Sequence, residues 1–193
     1  MRDSIRAIAL SASIMTIALT ACGTTDDDRP ATLRYITSSI LAPSCGAAQC
    51  HSTFTQQNGD VFDTVVAARQ SIHRYGLALP SDASDPANAE LIHWVTDDQP
   101  FGRRDRNGDI IGRMPFDAPL PNADIDLMKK WIAEGVVGAQ CVPEDFGGQD
   151  CNENTVVACD AEGNYGAVVM VCSGATPTCV CDASSNSCGC KAQ

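Results

Sequence analysis

Two cysteines and a histidine stand close together in the first third of this chain. The segment reads Cys45-Gly-Ala-Ala-Gln-Cys50-His51, so four residues separate the thiols and an imidazole directly follows the second. These are the residue types that covalent haem attachment uses, because the thiols bond to the porphyrin and the imidazole becomes an axial ligand of the iron. The motif occurs once. It predicts a single haem c, bound through Cys45 and Cys50 with His51 as the proximal ligand.

A second iron ligand is expected further along, in Gly112-Arg113-Met114-Pro115. A residue before proline favours extended geometry, which lets the Met114 side chain reach inward from a loop. A thioether opposite an imidazole favours ferrous iron and raises the reduction potential. With both axial positions filled, none stays open for oxygen or peroxide, so the sequence predicts electron transfer and not an enzyme. The neighbouring Arg113 is a candidate partner for a haem propionate, although a solvated arginine is an equal alternative.

Other interpretations of these residues stay open at the level of sequence. Cys45 and Cys50 could close a small disulfide loop, or they could join a zinc site. Zinc would need a fourth ligand, and the remaining histidines are His73 and His93. Either of those could instead be the sixth iron ligand, in which case Met114 would be an ordinary core methionine.

The first 21 residues read as an export signal. Two arginines flank the start of the chain, and the apolar run over residues 7–19 is too short to span a bilayer. Leu19-Thr20-Ala21-Cys22 resembles a lipobox, in which the chain is cut before the cysteine and that cysteine is acylated. An ordinary cleavage site beside an incidental cysteine is the alternative. The sequence thus predicts lipidation of Cys22 and a location in the cell envelope, periplasmic or on the outer surface.

The 11 cysteines form an odd number, which is unusual for an exported protein. If Cys22 carries lipid and Cys45 and Cys50 carry haem, the eight that remain all lie between Cys141 and Cys190. An even set in one segment of an oxidised compartment predicts four disulfides. The sequence does not choose their pairing.

The chain is acidic, with 24 Asp and Glu against 13 Lys and Arg and a net charge of −11. Nucleic acid is therefore not an expected partner, because its binding needs a basic face. An acidic surface favours basic exported redox proteins through electrostatic steering, and it equally serves solubility.

The order of segments predicts four units: a signal peptide (1–21), a flexible tether (22–30), a folded domain (31–138) and a disulfide-stapled module (141–193). Apolar periodicity predicts a helix that begins at Leu33 and stops at Pro43. It also predicts helices over 61–74 and 88–95, and a last helix over 122–135 that Asn122 can cap. In the cysteine-rich module, two strands are expected over 155–159 and 167–172, joined through Gly163.

Several pieces of the first domain occur in an order known from one family. They are Ile40-Leu41-Ala42-Pro43-Ser44-Cys45 leading into Cys50-His51, Leu79-Pro80-Ser81-Asp82, Asp85-Pro86 with Leu91, Arg113-Met114-Pro115, and the last helix with Trp131-Ile132. In this order they resemble bacterial monohaem c-type cytochrome domains of exported proteins and lipoproteins. The resemblance implies covalent haem c, His51 and Met114 as axial ligands, and electron transfer outside the cytoplasm. The chain departs from the family in its longer cysteine spacing and in Ser52, where a glycine is usual.

The same resemblance implies a mainly α fold: a cytochrome c-like helical domain in which the first and last helices cross around the haem, followed by a small disulfide-rich β module. That module, with Cys151 to Cys159, Gly163-Asn-Tyr165 and Cys172 to Cys179, resembles small cysteine-rich units of bacterial surface proteins. The leading hypothesis is a membrane-tethered electron carrier. The alternatives are a haem-free surface binding or adhesion lipoprotein that acts through the module, and an enzyme in which Met114 leaves the iron so that a peroxide binds.

Overall fold

The computed structural model describes residues 27–105, 107–116 and 118–192. The predicted signal peptide and Cys22 lie outside these residues. The helices are α1 (Leu33–Ile36), a π-helical segment (Thr37–Leu41), α2 (Ala42–Ser44), α3 (Val65–Tyr75), α4 (Glu90–Thr96) and α5 (Asn122–Ala133). Short 3-10 turns cover Gln57–Gly59, Pro80–Ser84, Pro86–Asn88 and Pro100–Gly102. The strands are β1 (Gln149–Asn152), β2 (Thr155–Cys159), β3 (Tyr165–Val171), β4 (Thr178–Asp182) and β5 (Ser187–Lys191).

Local sequence signals fix where the helices begin and end. The Thr64 hydroxyl accepts a hydrogen bond from the Ala67 N–H at 3.2 Å and caps α3. At the other end, Gly76 takes the left-handed conformation, with φ of 63°, that closes many helices. The last helix starts one residue after Pro121, which is its N-cap, so Asn122 is inside α5 and does not cap it.

The helices and the loops between them enclose one apolar core. Its largest fully buried side chains are Trp131, Leu33, Ile36, Ile40, Leu41, Ile72, Ile92, Leu127, Met128, Ile132 and Val136. Trp131 is fully buried in this core, and the indole N–H donates to the Val137 carbonyl at 2.9 Å, so the one polar atom of its side chain is satisfied. This core forms one side of the cleft described below.

The cysteine-rich segment forms two small antiparallel sheets. One has the order β1-β2-β3 and the other is the β4-β5 hairpin. Four disulfides join Cys141 to Cys159, Cys151 to Cys179, Cys172 to Cys190 and Cys181 to Cys188. The predicted set of four disulfides is confirmed. The apolar core of the cysteine-rich segment is small and consists of Val156, Cys172 and Cys179, with a few half-buried cysteines around it.

Arg69 of α3 joins the cysteine-rich segment to the helices. The guanidinium is buried and donates to the carbonyls of Gly138, at 2.9 Å, and Glu162, at 2.7 Å. Beside it, the His73 Nε2 atom lies 2.7 Å from the Asp150 Oδ2 atom. The two parts of the chain are therefore in direct polar contact through α3.

The prediction of a mainly α fold is wrong. Helices hold 34% of the described residues when the 3-10 turns are included, they are short, and these residues also form five antiparallel strands in two sheets. Two causes explain the difference. Long segments around 45–64 and 97–121 carry little regular helix, and disulfides hold strands such as β1, β4 and β5 that have no alternating apolar pattern. The protein combines a short-helix part with a β part.

The end of the predicted tether is attached to the fold. The Arg29 guanidinium lies 2.6 Å from the Asp124 carboxylate, and it donates to the Ala123 carbonyl at 2.8 Å. It also pairs with Asp27 at 2.7 Å. Residues 27–30 therefore lie against the start of α5. In the part of the chain that the structure describes, we find no helix with the length and apolarity needed to cross a membrane.

Candidate haem site

The segment with both cysteines and the histidine folds into a compact loop directly after α2. The N–H groups of Cys45 and Gly46 donate to the Leu41 carbonyl at 2.7 and 2.8 Å and end the helix. The His51 N–H donates back to the Cys45 carbonyl at 3.0 Å. The longer spacing is accommodated because the four intervening residues turn back and bring His51 beside Cys45.

Ser52, which stands where the family has glycine, is part of this loop. Its side chain is buried, its hydroxyl donates to the Ala48 carbonyl at 3.2 Å, and the same oxygen accepts from the Thr55 N–H at 3.3 Å. The serine therefore supplies hydrogen bonds that a glycine could not, and it fixes the chain on both sides of the histidine.

The two thiols of the loop are not joined to each other. Cys45 and Cys50 are the free cysteines among the described residues, and both are half-buried. Burial raises the pKa of the Cys45 thiol to about 12, and the nearby Cys50 contributes to the increase. Cys45 is thus held as a protonated thiol. The structure does not contain the alternative small disulfide loop.

The imidazole of His51 has one nitrogen committed to the backbone. Its Nδ1 atom lies 3.0 Å from the Gln57 carbonyl oxygen, and because a carbonyl can only accept, Nδ1 carries the proton in the neutral ring. The Nε2 lone pair is then left for a ligand, as in metal-binding histidines whose other nitrogen donates to a carbonyl. Phe62 packs against the ring edge with the ring centroids 5.5 Å apart.

Met114 reaches the same site from a distant loop. Its N–H donates to the Trp94 carbonyl at 2.8 Å, which ties the loop to α4, and the peptide bond to Pro115 is cis. Met114 lines a cavity together with Cys45 and His51. Met114 therefore lies at the same cavity as part of the cysteine loop.

The residues of the site line two adjoining cavities of about 460 and 1200 Å³. Six residues line both: Cys45, His51, Asn58, Arg104, Ile111 and Met114. We call the combined space the central cleft. Cys50 lines its larger part. The smaller part falls within the range of about 300–1000 Å³ that is usual for small-molecule and cofactor sites.

The smaller part of the central cleft has largely apolar walls and one polar end. The apolar lining consists of Leu41, Phe62, Leu77, Leu91, Trp94, Val95 and Ile111. Covalent haem requires apolar walls, two free thiols, an imidazole nitrogen and a second iron ligand such as a thioether. The central cleft as a whole is lined by residues of all these types. We conclude that the residues present fit a haem c.

The polar end was not anticipated from the sequence. Arg103 lies over the Trp94 ring at 5.3 Å, and its Nη2 atom lies 3.1 Å from the Glu90 Oε1 atom. The Trp94 indole N–H donates to the same oxygen at 3.2 Å. Only the adjacent pair Arg103-Arg104 in the sequence could have suggested a basic contact here.

Asp60 lies at this polar end with one oxygen unpaired. Its Oδ1 atom is buried and has no hydrogen-bond partner among the described residues. Burial raises the pKa of this carboxyl, and the nearby Glu90 adds to the effect, while His51 and Arg103 oppose it. Asp60 thus adds a buried carboxyl group to the lining of the smaller part of the cleft.

Three other candidates lie away from the central cleft. Arg113, the suggested propionate partner, places its Nη1 atom 3.6 Å from the Asp98 carboxylate and is not part of the lining. His73 pairs with Asp150, and the His93 Nδ1 atom lies 2.8 Å from the Asp97 Oδ2 atom. Neither histidine lines the cleft, so neither is placed to be a sixth ligand.

A zinc site at the cysteine loop is not supported by the placement of ligands. Within residues 27–105, 107–116 and 118–192, the one compact group of three candidate metal ligands is Cys151, Cys181 and Cys188. All three are in disulfides and offer no thiolate. The group therefore reflects two adjacent disulfides.

Comparison with known proteins adds no relative. No protein-family model, no curated protein and no solved structure matches this chain. The functional interpretation consequently depends on the geometry of the central cleft.

Proposed function

We propose that this protein carries one covalently bound haem c and transfers electrons in the cell envelope. One observation carries the proposal: a single cleft is lined by two free thiols, an imidazole and a methionine from a loop far along the chain. Cys45 and Cys50 would hold the group through thioether bonds, and His51 and Met114 would be its axial ligands. The bound group would supply a one-electron ferric/ferrous couple.

The chain's own residues explain why this site would transfer electrons and not catalyse. The hydrogen bond to Gln57 fixes the tautomer and orientation of His51, so its Nε2 atom would be held ready to bind the iron of a haem. Apolar walls such as Leu41 and Leu91 exclude water. With Met114 as the second ligand, no position is open for a substrate.

Anchoring and partners belong to the same proposal. Acylation of Cys22 would hold the protein on a membrane surface, because multiple acyl chains give stable attachment where one does not. The net charge of −11 favours exported redox proteins with basic surfaces. Association with such a partner should weaken as salt is added.

Haem staining of the denatured protein tests the proposal. Protein produced in a host that matures c-type cytochromes should keep its haem after denaturation, since thioether bonds survive. The Cys45→Ala/Cys50→Ala variant should lose the stain. The matched control is Cys181→Ser/Cys188→Ser, which also removes two cysteines but lies far from the cleft and should stain fully. If the wild-type protein is colourless, the proposal is wrong, and the hypothesis of a haem-free surface binding protein is favoured instead.

A second experiment tests the methionine. The Met114→Ala variant should keep its covalent haem but lose the low-spin absorption spectrum, and its reduced form should bind carbon monoxide quickly. Met128→Leu is the control, because Met128 is fully buried in the helical core and should leave the spectrum unchanged. An unaltered spectrum in Met114→Ala would remove this residue from the ligand set. Rapid carbon monoxide binding by the wild-type protein would instead favour the peroxide-binding enzyme.

A further inference from the structure

Two disulfides of the cysteine-rich segment are in contact with each other. The Sγ atom of Cys151, which is bonded to Cys179, lies 3.5 Å from the Sγ atom of Cys181. Cys181 is itself bonded to Cys188, and the Sγ atoms of Cys151, Cys181 and Cys188 all lie within 4.8 Å of one another. We call Cys151, Cys179, Cys181 and Cys188 the four-cysteine site.

The strand register explains why the two disulfides meet. Cys179 and Cys181 are two residues apart in β4, so their side chains lie on the same face of that strand. Cys188 of β5 lies directly opposite Cys181. The disulfide from Cys179 shows that this face of β4 is turned toward Cys151 of β1. Both β4 sulfurs are therefore placed beside the same β1 sulfur.

The disulfide between Cys181 and Cys188 is the one that a reductant reaches most easily. Neither of its cysteines is buried, whereas each of the other three disulfides includes a buried cysteine: Cys141, Cys172 or Cys179. It also closes the shortest loop, with a separation of seven residues against 18, 18 and 28. Accessible disulfides are attacked more readily by thiols, and a short loop gives the smallest stabilisation. A dithiol should therefore open this bond first.

A polar neighbour keeps the released thiol in place. The Asp150 Oδ1 atom lies 3.7 Å from the Cys181 Sγ atom, and the Oδ2 atom of the same carboxylate lies 2.7 Å from the His73 Nε2 atom. Once Cys181 is reduced, its S–H has this carboxylate as an acceptor. The thiol would then stay beside Cys151 instead of turning toward solvent.

The two bonds that Cys151 can make are nearly equal in loop closure. Cys151 is 28 residues from Cys179 and 30 residues from Cys181. The entropic cost of closing a loop grows only with the logarithm of its length, so this difference favours neither bond appreciably. Contact between the sulfurs then decides whether the bond can pass from one partner to the other.

We propose that the four-cysteine site is a thiol–disulfide exchange site whose substrate is a dithiol. The dithiol passes two electrons and two protons to the bond between Cys181 and Cys188 and is itself oxidised to a disulfide. The Cys181 thiolate then attacks the Cys151 sulfur, so that a bond between them forms while the bond from Cys151 to Cys179 breaks. Cys179 leaves as a thiolate and takes up the proton that Cys181 lost.

The product of this exchange has free thiols at Cys179 and Cys188 and a disulfide between Cys151 and Cys181. Because Cys179 and Cys181 both belong to β4, the crosslink between β1 and β4 is present before and after. The segment can thus take up two electrons without losing the bond that joins these strands. The proposal does not depend on the haem.

A variant with one thiol released tests the exchange step. Cys188→Ser leaves Cys181 unpaired beside the bond from Cys151 to Cys179. After acid quenching, alkylation under denaturing conditions and digestion, mass spectrometry should find Cys151 bonded to Cys179 in some molecules and to Cys181 in others. The ratio of the two forms should lie within about tenfold of one, because loop closure does not separate them.

Cys159→Ser is the matched control. It leaves Cys141 unpaired in the same segment but outside the four-cysteine site, so Cys141 alone should be alkylated. Both variants are made in the full mature chain carrying Cys45→Ala and Cys50→Ala, so that those two thiols take no part. If Cys188→Ser contains no bond between positions 151 and 181, the proposal is wrong. Bonds to cysteines outside the site at similar levels would show general reshuffling and would also overturn it.

The mature chain without substitutions provides a second test under native conditions. As dithiothreitol is increased, Cys188 should be among the first thiols released. A share of these molecules should carry the alkyl label on Cys179 while Cys151 stays unlabelled, which direct reduction of that disulfide cannot produce. Reduction that begins at another disulfide, or label that appears on Cys181 and Cys188 but never on Cys179, would contradict the proposal.

Discussion

Residues 31–138 and 141–192 are stabilised in different ways. The first part buries a continuous core that includes a fully enclosed Trp131, and its two free cysteines face the central cleft. The second has a buried apolar cluster of only Val156, Cys172 and Cys179, and it places all eight of its cysteines in disulfides. Within one chain, cysteine thus has two roles. It is a crosslink where apolar area is scarce, and it is a thiol available for attachment where a core already exists.

Because the first part depends on its apolar core, we expect the largest loss of stability from a substitution at Trp131. Trp131→Ala would remove the largest side chain of the helical core and leave the Leu33 N–H, at 3.2 Å, as the remaining donor to the Val137 carbonyl. We expect a loss of about 3–5 kcal/mol, which is a large part of the total for a protein of this kind. Urea unfolding followed by far-UV circular dichroism measures it. All four disulfides should still be found by mass spectrometry, and their loss would show that the two parts are not stabilised separately.

The disulfides should contribute more when they close a longer loop, with a dependence on the logarithm of loop length. Cys151 and Cys179 are 28 residues apart and Cys181 and Cys188 are seven apart. Replacing the first pair with serine should cost about 3–4 kcal/mol, and replacing the second about 2 kcal/mol. The difference in urea midpoint between these two variants is the quantity to compare. Equal losses would mean that local strain or packing, and not loop closure, sets the contribution.

Arg69 tests whether the two parts unfold together. Arg69→Met keeps most of the side-chain volume but leaves the Gly138 and Glu162 carbonyls without their donor, which should cost about 1–3 kcal/mol. If the two parts of the wild-type protein unfold in one transition, the variant should show two, seen as different midpoints for the fluorescence of Trp94 and Trp131 and for exchange of the β2 amides. The control Arg74→Met, on the same helix and exposed, should leave the transitions coincident.

The smallest expected effect concerns the turn that Arg69 contacts. A hydrogen bond from the Asn164 N–H, at 2.8 Å, lowers the pKa of Asp160. A carboxyl with a lowered pKa in the folded state stabilises it above the ordinary value of 3.8 and loses that contribution as the pH falls below it. Because Asp160 is exposed, we expect about 0.5 kcal/mol or less. Asp160→Asn should flatten the pH dependence of stability between pH 5 and 3, and an unchanged slope would contradict this assignment.

Sequence reasoning succeeded where the pattern was local. The apolar spacing of Ile125, Met128 and Ile132 located α5 to within two residues at its end, and the runs of valine located β2 and β3. The even count of cysteines gave four disulfides. Their pairing could not be read from the sequence because it depends on which strands lie side by side.

The parts that escaped prediction are those assembled by distant contacts. Strands β1, β4 and β5 are rich in cysteine and polar residues, so they lack the alternation that marks a strand. The polar end of the central cleft brings Asp60 and Arg103 together from segments with no shared motif. The thiols, the histidine and Met114 could be proposed as one site because residues of these types, with a histidine directly after the second of two cysteines, are typical of covalent haem attachment.

The ion pair between Arg29 and Asp124 limits how far the folded domain could lie from a lipid on Cys22. It fastens the chain to α5 within a few residues of Cys22, so that only five steps of backbone separate a lipid at that position from Asp27. Fully stretched, those steps cover about 17 Å. The folded part of an acylated protein would therefore stay close to the bilayer surface. If it transfers electrons, its partners would have to diffuse to it or lie in the same membrane.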